Sequence, residues 1–204
     1  TLNPKVNPDN NISDKKSINI FKRLSSFFIN ENIDTGDIID QRTIKIDILD
    51  SYGDLFHKLK KIGADLILNT VNNIISGKIN LKPQINTPNL NSANKLNKGN
   101  CRIDWSMNTS NIYNKIRGLS PFPGANCFLV HGNETLKIII YSSRIEIETH
   151  QLDSGLIIIE KKQIKIATKD GFLIPQEIKV QGKKSMKISD LMNGFKFDLS
   201  SKFI

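Results

Sequence analysis

Residues Arg102–Ala125 read RIDWSMNTSNIYNKIRGLSPFPGA, which sets a tryptophan among apolar neighbours, a short amphipathic helix and a double-proline turn in fixed order. Trp105 lies beside Ile103 and Met107, and a lone tryptophan in such company reads as core rather than as a stacking platform. Pro121 and Pro123 fix φ on either side of Phe122 and make a stiff corner out of the helix. These residues set geometry and do no chemistry.

Beyond the corner, short apolar runs follow at 127–131, 136–141, 144–148, 156–160, 163–168 and 172–180. His131-Gly132-Asn133, Asp153-Ser154-Gly155 and Lys169-Asp170-Gly171 punctuate them. That spacing predicts a small antiparallel barrel, with residues 185–194 as a short closing helix. Before the opening stretch, residues 83–101 are rich in Asn, Pro and Ser, with neither strand alternation nor a long helical face, and read as a linker.

Further upstream the pattern is helical. Leu55, Leu59, Ile62 and Leu66 recur on one face from Ser51 onward, continued by Ile67, Val71 and Ile74. Ser51 with Asp54 has the form of a capping box, Gly77 supplies a stop, and Gly63 marks close packing. His57, beside Lys60 and Lys61, reads as an exposed histidine. Ahead of the helix, Ser26–Ile29, Asp37–Ile39 and the alternating segment from Thr43 to Leu49 read as strands, with the polar loop NENIDTG between the first two. Residues 1–24 are polar with few apolar positions to bury, and read as a loose arm.

At 204 residues with a net charge of +9, the chain favours an acidic partner such as a nucleic acid or a membrane surface. The basic excess lies late: residues 1–50 carry 7 basic and 8 acidic side chains, residues 51–204 carry 22 and 12. Lysine outnumbers arginine 24 to 5, so part of the charge reflects compositional bias. Cys101 and Cys127 form no CxxC and have no histidine at ligand spacing, so they read as reduced thiols and no metal site is expected. No apolar run approaches the roughly 20 residues that cross a bilayer. A cytoplasmic monomer with no membrane and no DNA partner is the expectation.

Three blocks of residues carry a family resemblance. Ile103-Asp104-Trp105-Ser106, leading through a helix to the Pro121-Phe122-Pro123 corner, resembles the junction between the catalytic and C-terminal domains of methionyl-tRNA formyltransferases. Gln181-Gly182-Lys183-Lys184-Ser185-Met186, followed by Asp190-Leu191-Met192-Asn193-Gly194, resembles the ending of that family. The segment from Phe27 to Ile39, with Asp34-Thr35-Gly36-Asp37 at its centre, resembles the end of the catalytic domain.

The resemblance implies an α+β chain: the C-terminal remnant of a Rossmann-like formyltransferase domain (25–82), the linker (83–101), then an OB-like antiparallel β-barrel (102–204). It implies formyl transfer from 10-formyltetrahydrofolate to the amino group of methionyl initiator tRNA, with Asp34 as the catalytic carboxylate. Read without the resemblance, Asp34-Thr35-Gly36-Asp37 is a good turn. By the same resemblance Lys95, Lys98, Arg102, Arg117, Lys183 and Lys184 are tRNA phosphate contacts, although each alone is also an ordinary solvated charge. The family's Asn-x-His and Ser-Leu-Leu-Pro segments do not occur in this sequence, and all three histidines follow Asp34. Transfer by this chain alone is therefore not expected, because oxyanion donors and the folate loop would be missing. The alternatives are a non-catalytic RNA-binding remnant or partner-binding module and, third, a sugar-nucleotide formyltransferase.

Overall fold

The structure, a computed structural model, describes residues 20–84, 93–198 and 200–204. The chain divides into two compact units that meet in sequence at Lys95 and Leu96. The arm expected over 1–24 lies outside the described residues as far as 19, and so does the middle of the expected linker, residues 85–92.

The first unit is a hairpin and a helix. Strands β1 (Ile20–Phe27) and β2 (Ile38–Ile46) pair antiparallel, from Ile20 opposite Ile46 to Phe27 opposite Ile38. Residues 20–24, expected in the arm, are therefore strand: the ladder to β2 orders them although Ile20 and Phe21 stay exposed. The two separate strands expected near 37–39 and 43–49 are one strand. Helix α1 (Tyr52–Ile75) begins with the expected capping box, Ser51 Oγ accepting from Asp54 N while the Asp54 carboxylate accepts from Ser51 N. Thr70 of α1 lies 2.8 Å from Ser26 of β1, and a Cβ on Gly63 would come 3.1 Å from Leu24, so helix and strand approach closely there. The expected buried face is narrower than predicted. Leu66 is buried and Leu55, Leu59 and Ile62 are half-buried, but Ile67, Val71 and Ile74 are exposed.

The second unit holds a curved sheet of seven strands. They are β3 (Ala125–His131), β4 (Glu134–Ile147), β5 (Ile157–Glu160), β6 (Gln163–Ala167), β7 (Gly171–Val180), β8 (Ser185–Lys187) and β9 (Lys202–Phe203). Their order is β5-β6-β7-β4-β3-β9, with β8 on β7. The ends of this order touch through one bridge, Leu156 to Lys202, reinforced by Phe203 N donating to Gly155 O at 2.9 Å, so the sheet forms a half-barrel. The runs expected as separate strands at 136–141 and 144–148 are one strand, β4, whose register shifts around Ser142 where Pro175 of β7 withholds a donor. Helix α3 (Ile188–Gly194) follows β8, inside the predicted closing helix.

Helix α2 (Thr109–Leu119) buries Ile112, Ile116 and Leu119 in the same core as Trp105, Leu129, Ile138, Ile140, Ile164 and Phe203. Its first turn is capped from far along the chain. Asp170, in the β6–β7 turn, accepts from Thr109 N at 2.7 Å, Thr109 Oγ1 at 2.8 Å and Asn108 Nδ2 at 2.9 Å. Residues 97–101, expected in the linker, fold into this unit. Asn97 and Asn100 bond each other's backbone, Asn97 Oδ1 accepting from Asn100 N at 3.0 Å and Asn100 Oδ1 from Asn97 N at 2.8 Å, and Cys101 is buried.

Candidate functional site

Asp34 stands in the loop between β1 and β2, exposed, with φ 56°. That left-handed backbone is uncommon for a residue other than glycine, and the surroundings hold it. Gln84 Nε2 donates to Asp34 O at 2.9 Å and to Gly36 O at 2.8 Å, while Thr35 Oγ1 donates to Asn30 Oδ1 at 2.8 Å. Gly36 is obligatory, since a Cβ there would come 1.6 Å from Phe28 O. The loop is thus a fixed frame that leaves the Asp34 side chain facing water. His57 is exposed on α1 beside Phe56, and among the described residues no cluster of His, Cys, Asp or Glu could hold a metal ion.

The expected phosphate contacts fall into separate places. Lys95 belongs to the first unit and the others to the second. Arg117 lies in the last turn of α2, its Nε donating to Asn114 Oδ1 at 2.8 Å. Lys183 and Lys184 occupy the β7–β8 turn, where Lys183 N donates to Val180 O. Arg102 and Lys98 gather at β3: Arg102 bridges Asn126 in parallel register, and Asn126 Nδ2 donates to Lys98 O at 3.1 Å.

Strand register adds residues that sequence reading passed over. On β3, Cys127 and Leu129 are buried, so the alternate residues Phe128 and Val130, each half-buried, look outward. Phe128 stands opposite Lys137 of β4, Val130 opposite Lys202 of β9, and Ile139 of β4 opposite Lys179 of β7. The outer face of β9, β3, β4 and β7 therefore carries Lys202, Lys137 and Lys179 in the company of Arg102. None of Lys98, Arg102, Lys137, Lys179, Lys183, Lys184 and Lys202 makes an ion pair with a carboxylate among the described residues. At the β5–β6 end, by contrast, Lys165 is neutralised by Glu146 at 2.7 Å and Glu160 at 2.9 Å. Its bonds to the two carboxylates hold the Lys165 ammonium above its ordinary value.

The two cysteines and Trp105 serve the core. Cys101 and Cys127 are buried free thiols, and burial pushes the Cys127 thiol far up, against a smaller opposing pull from Arg102, so it stays protonated and inert. Trp105 is buried with its ring 5.5 Å from that of Phe203. The corner holds cis peptide bonds before both Pro121 and Pro123.

Residues 95–196 match the formyl transferase, C-terminal domain family, which is half of the chain. The chain belongs to this family. The methionyl-tRNA formyltransferase of Flavobacterium johnsoniae is 38% identical over 179 residues, covering 88% of this chain and 57% of that protein. That of Azobacteroides pseudotrichonymphae is 36% identical over 187 residues, covering 88% and 58%. The chain thus spans somewhat over half the length of the curated relatives it matches. Among solved structures, HypX from Aquifex aeolicus in complex with tetrahydrofolic acid aligns with a TM-score of 0.63 at 17% identity, covering 87% of this chain and 32% of that one. An N-formyltransferase from Helicobacter canadensis aligns at 0.55 and 24%, covering 76% and 55%. Likeness at these identities is one of fold, mixed α and β.

Proposed function

We propose that this chain supplies the RNA-holding end and the Asp34 loop of a methionyl-tRNA formyltransferase. The observation that carries the reading is the 38% identity to a methionyl-tRNA formyltransferase over 179 residues, which extends well beyond the family domain. In the reaction the amino nitrogen of methionyl initiator tRNA bonds to the formyl carbon of 10-formyltetrahydrofolate. The bond from that carbon to the folate nitrogen breaks, and a proton passes from the amine to the departing nitrogen. Asp34, exposed on a framed loop, is the carboxylate that relays this proton directly or through water. The half-barrel acts as an OB-like surface, whose unpaired lysines follow RNA phosphates. Initiator tRNA as partner places the chain in the cytoplasm.

A second reading is RNA binding without turnover. It is favoured by the form of the Asp34 loop, which is also an ordinary exposed turn. A formylation assay separates the two when the chain is measured alone and again after addition of the remaining part of a relative's catalytic domain. The reading expects no transfer alone, transfer after addition, and loss of that transfer with Asp34→Asn. Undiminished transfer by the assembled Asp34→Asn protein would contradict the role given to Asp34.

A further inference from the structure

We propose that Arg102 and Phe128 form a stacked platform for one unpaired nucleobase of the bound RNA, a proposal that rests on the RNA-binding reading. The Arg102 guanidinium carbon lies 5.2 Å from the centre of the Phe128 ring, on the outer face of β3. The pair is built in place from several directions. Arg102 N donates to Gly99 O, Asn126 N to Cys101 O and Ile103 N to Asn126 O, and Lys115 Nζ donates to Arg102 O. The backbone on both sides of Arg102 is thereby fixed against β3, and the side chain stays exposed.

A guanidinium with an aromatic ring beneath it offers its free face to a further planar group, and a nucleobase is the planar group that brings negative phosphates with it. The charge around the pair suits those phosphates. Lys137 stands directly across from Phe128 on the same face, and cross-strand neighbours of this kind have Cβ atoms about 5 Å apart. Lys202 stands one pair along the outer face. Arg102 also borders an open cleft of about 670 Å³, whose walls include Lys115, Lys202, Ser106 and Ser154. One base stacked on Arg102 thus leaves its flanking phosphates within a surround of lysines and hydroxyls. A duplex keeps its bases stacked on one another and gains nothing from the platform, so the site selects single-stranded RNA next to a helix.

The test uses the full chain and two probes, an RNA hairpin with a short single-stranded tail and the same hairpin with a flush end, compared by fluorescence anisotropy. The tailed hairpin is expected to bind about tenfold more tightly. Phe128→Leu, which keeps the apolar bulk, and Arg102→Lys, which keeps the charge, are each expected to abolish that preference. Equal binding of both probes by the unaltered chain, or a tail preference that survives Arg102→Lys, would overturn the platform and leave the RNA-binding reading standing. No binding of either probe would overturn both. Melting curves show whether Phe128→Leu folds; should it not, the exposed Arg102→Lys decides the matter.

Discussion

Among the described residues, nearly every buried hydrophobic side chain belongs to Leu96–Ile204, and Leu66 is the exception in Lys16–Lys95. The second unit closes a half-barrel over α2 and Trp105. The first is a hairpin with one helix on it, and its helix exposes Leu68, Val71 and Ile75, a stripe at i, i+3 and i+7 with 63%, 46% and 80% exposure. A hairpin covered by one helix has a single interface, and α1 carries more apolar residues than that interface takes in. The difference separates two jobs. One unit has its own core and can hold a surface in place; the other frames a loop but is short of burial.

Trp105→Ala should break the comparison most sharply. It removes a ring packed on Phe203 and is expected to cost about 3–5 kcal/mol, read by denaturant unfolding, whereas Leu68→Ala on the exposed side of α1 should stay within about 0.5 kcal/mol. Near-equal costs would show that the two units are not packed so differently.

Asp170 tests the long-range cap. Burial pushes its carboxyl up, but the bonds from Thr109 N, Thr109 Oγ1 and Asn108 outweigh this and hold it below the ordinary carboxylate value. The folded state therefore holds the proton less tightly than the unfolded one, and the contribution is complete above the unfolded value and disappears as pH falls through the folded one. Asp170→Ala is expected to cost about 1–3 kcal/mol at neutral pH and to flatten acid unfolding of the second unit. A variant as acid-sensitive as the unaltered chain would contradict this.

The smallest effect is expected in the first unit. Lys58 bonds Asp47 at 2.8 Å and Asp50 at 2.7 Å across the turn into α1, and these bonds hold the Lys58 ammonium above its ordinary value. The group is solvated, so Lys58→Ala should leave the unfolding midpoint close to that of the unaltered chain, and raised salt should erase any difference.

The legible parts of the sequence were those written in local chemistry. Ser51 and Asp54 announced the start of α1, the Gly-containing turns announced most of the second sheet, and Trp105 beside Ile103 and Met107 announced core. Of strand β1 only the end was legible, since the strand expected at Ser26–Ile29 overlaps it at Ser26 and Phe27; Ile20 to Arg23 are exposed, so no alternation marks them and only pairing with β2 orders them. Asp170 could not be tied to Thr109 because the contact spans 61 residues. Of the candidate interface, the basic turn at Lys183 and Lys184 was legible, while Phe128, Lys137, Lys179 and Lys202 were not. Their alternation with buried neighbours was on view, but which strands lie side by side follows from register, and register is a property of the whole sheet.

The proposed RNA grip lies on the outer face of β9, β3, β4 and β7 and acts through phosphates. The most direct measurement is the salt dependence of hairpin RNA binding by the full chain, with and without the triple substitution Lys137→Gln, Lys179→Gln and Lys202→Gln. Each lost phosphate contact should lower the slope of log affinity against log salt by about 0.7–0.9, so the triple variant should lose about 2–3. An unchanged slope would place the RNA elsewhere and contradict the account.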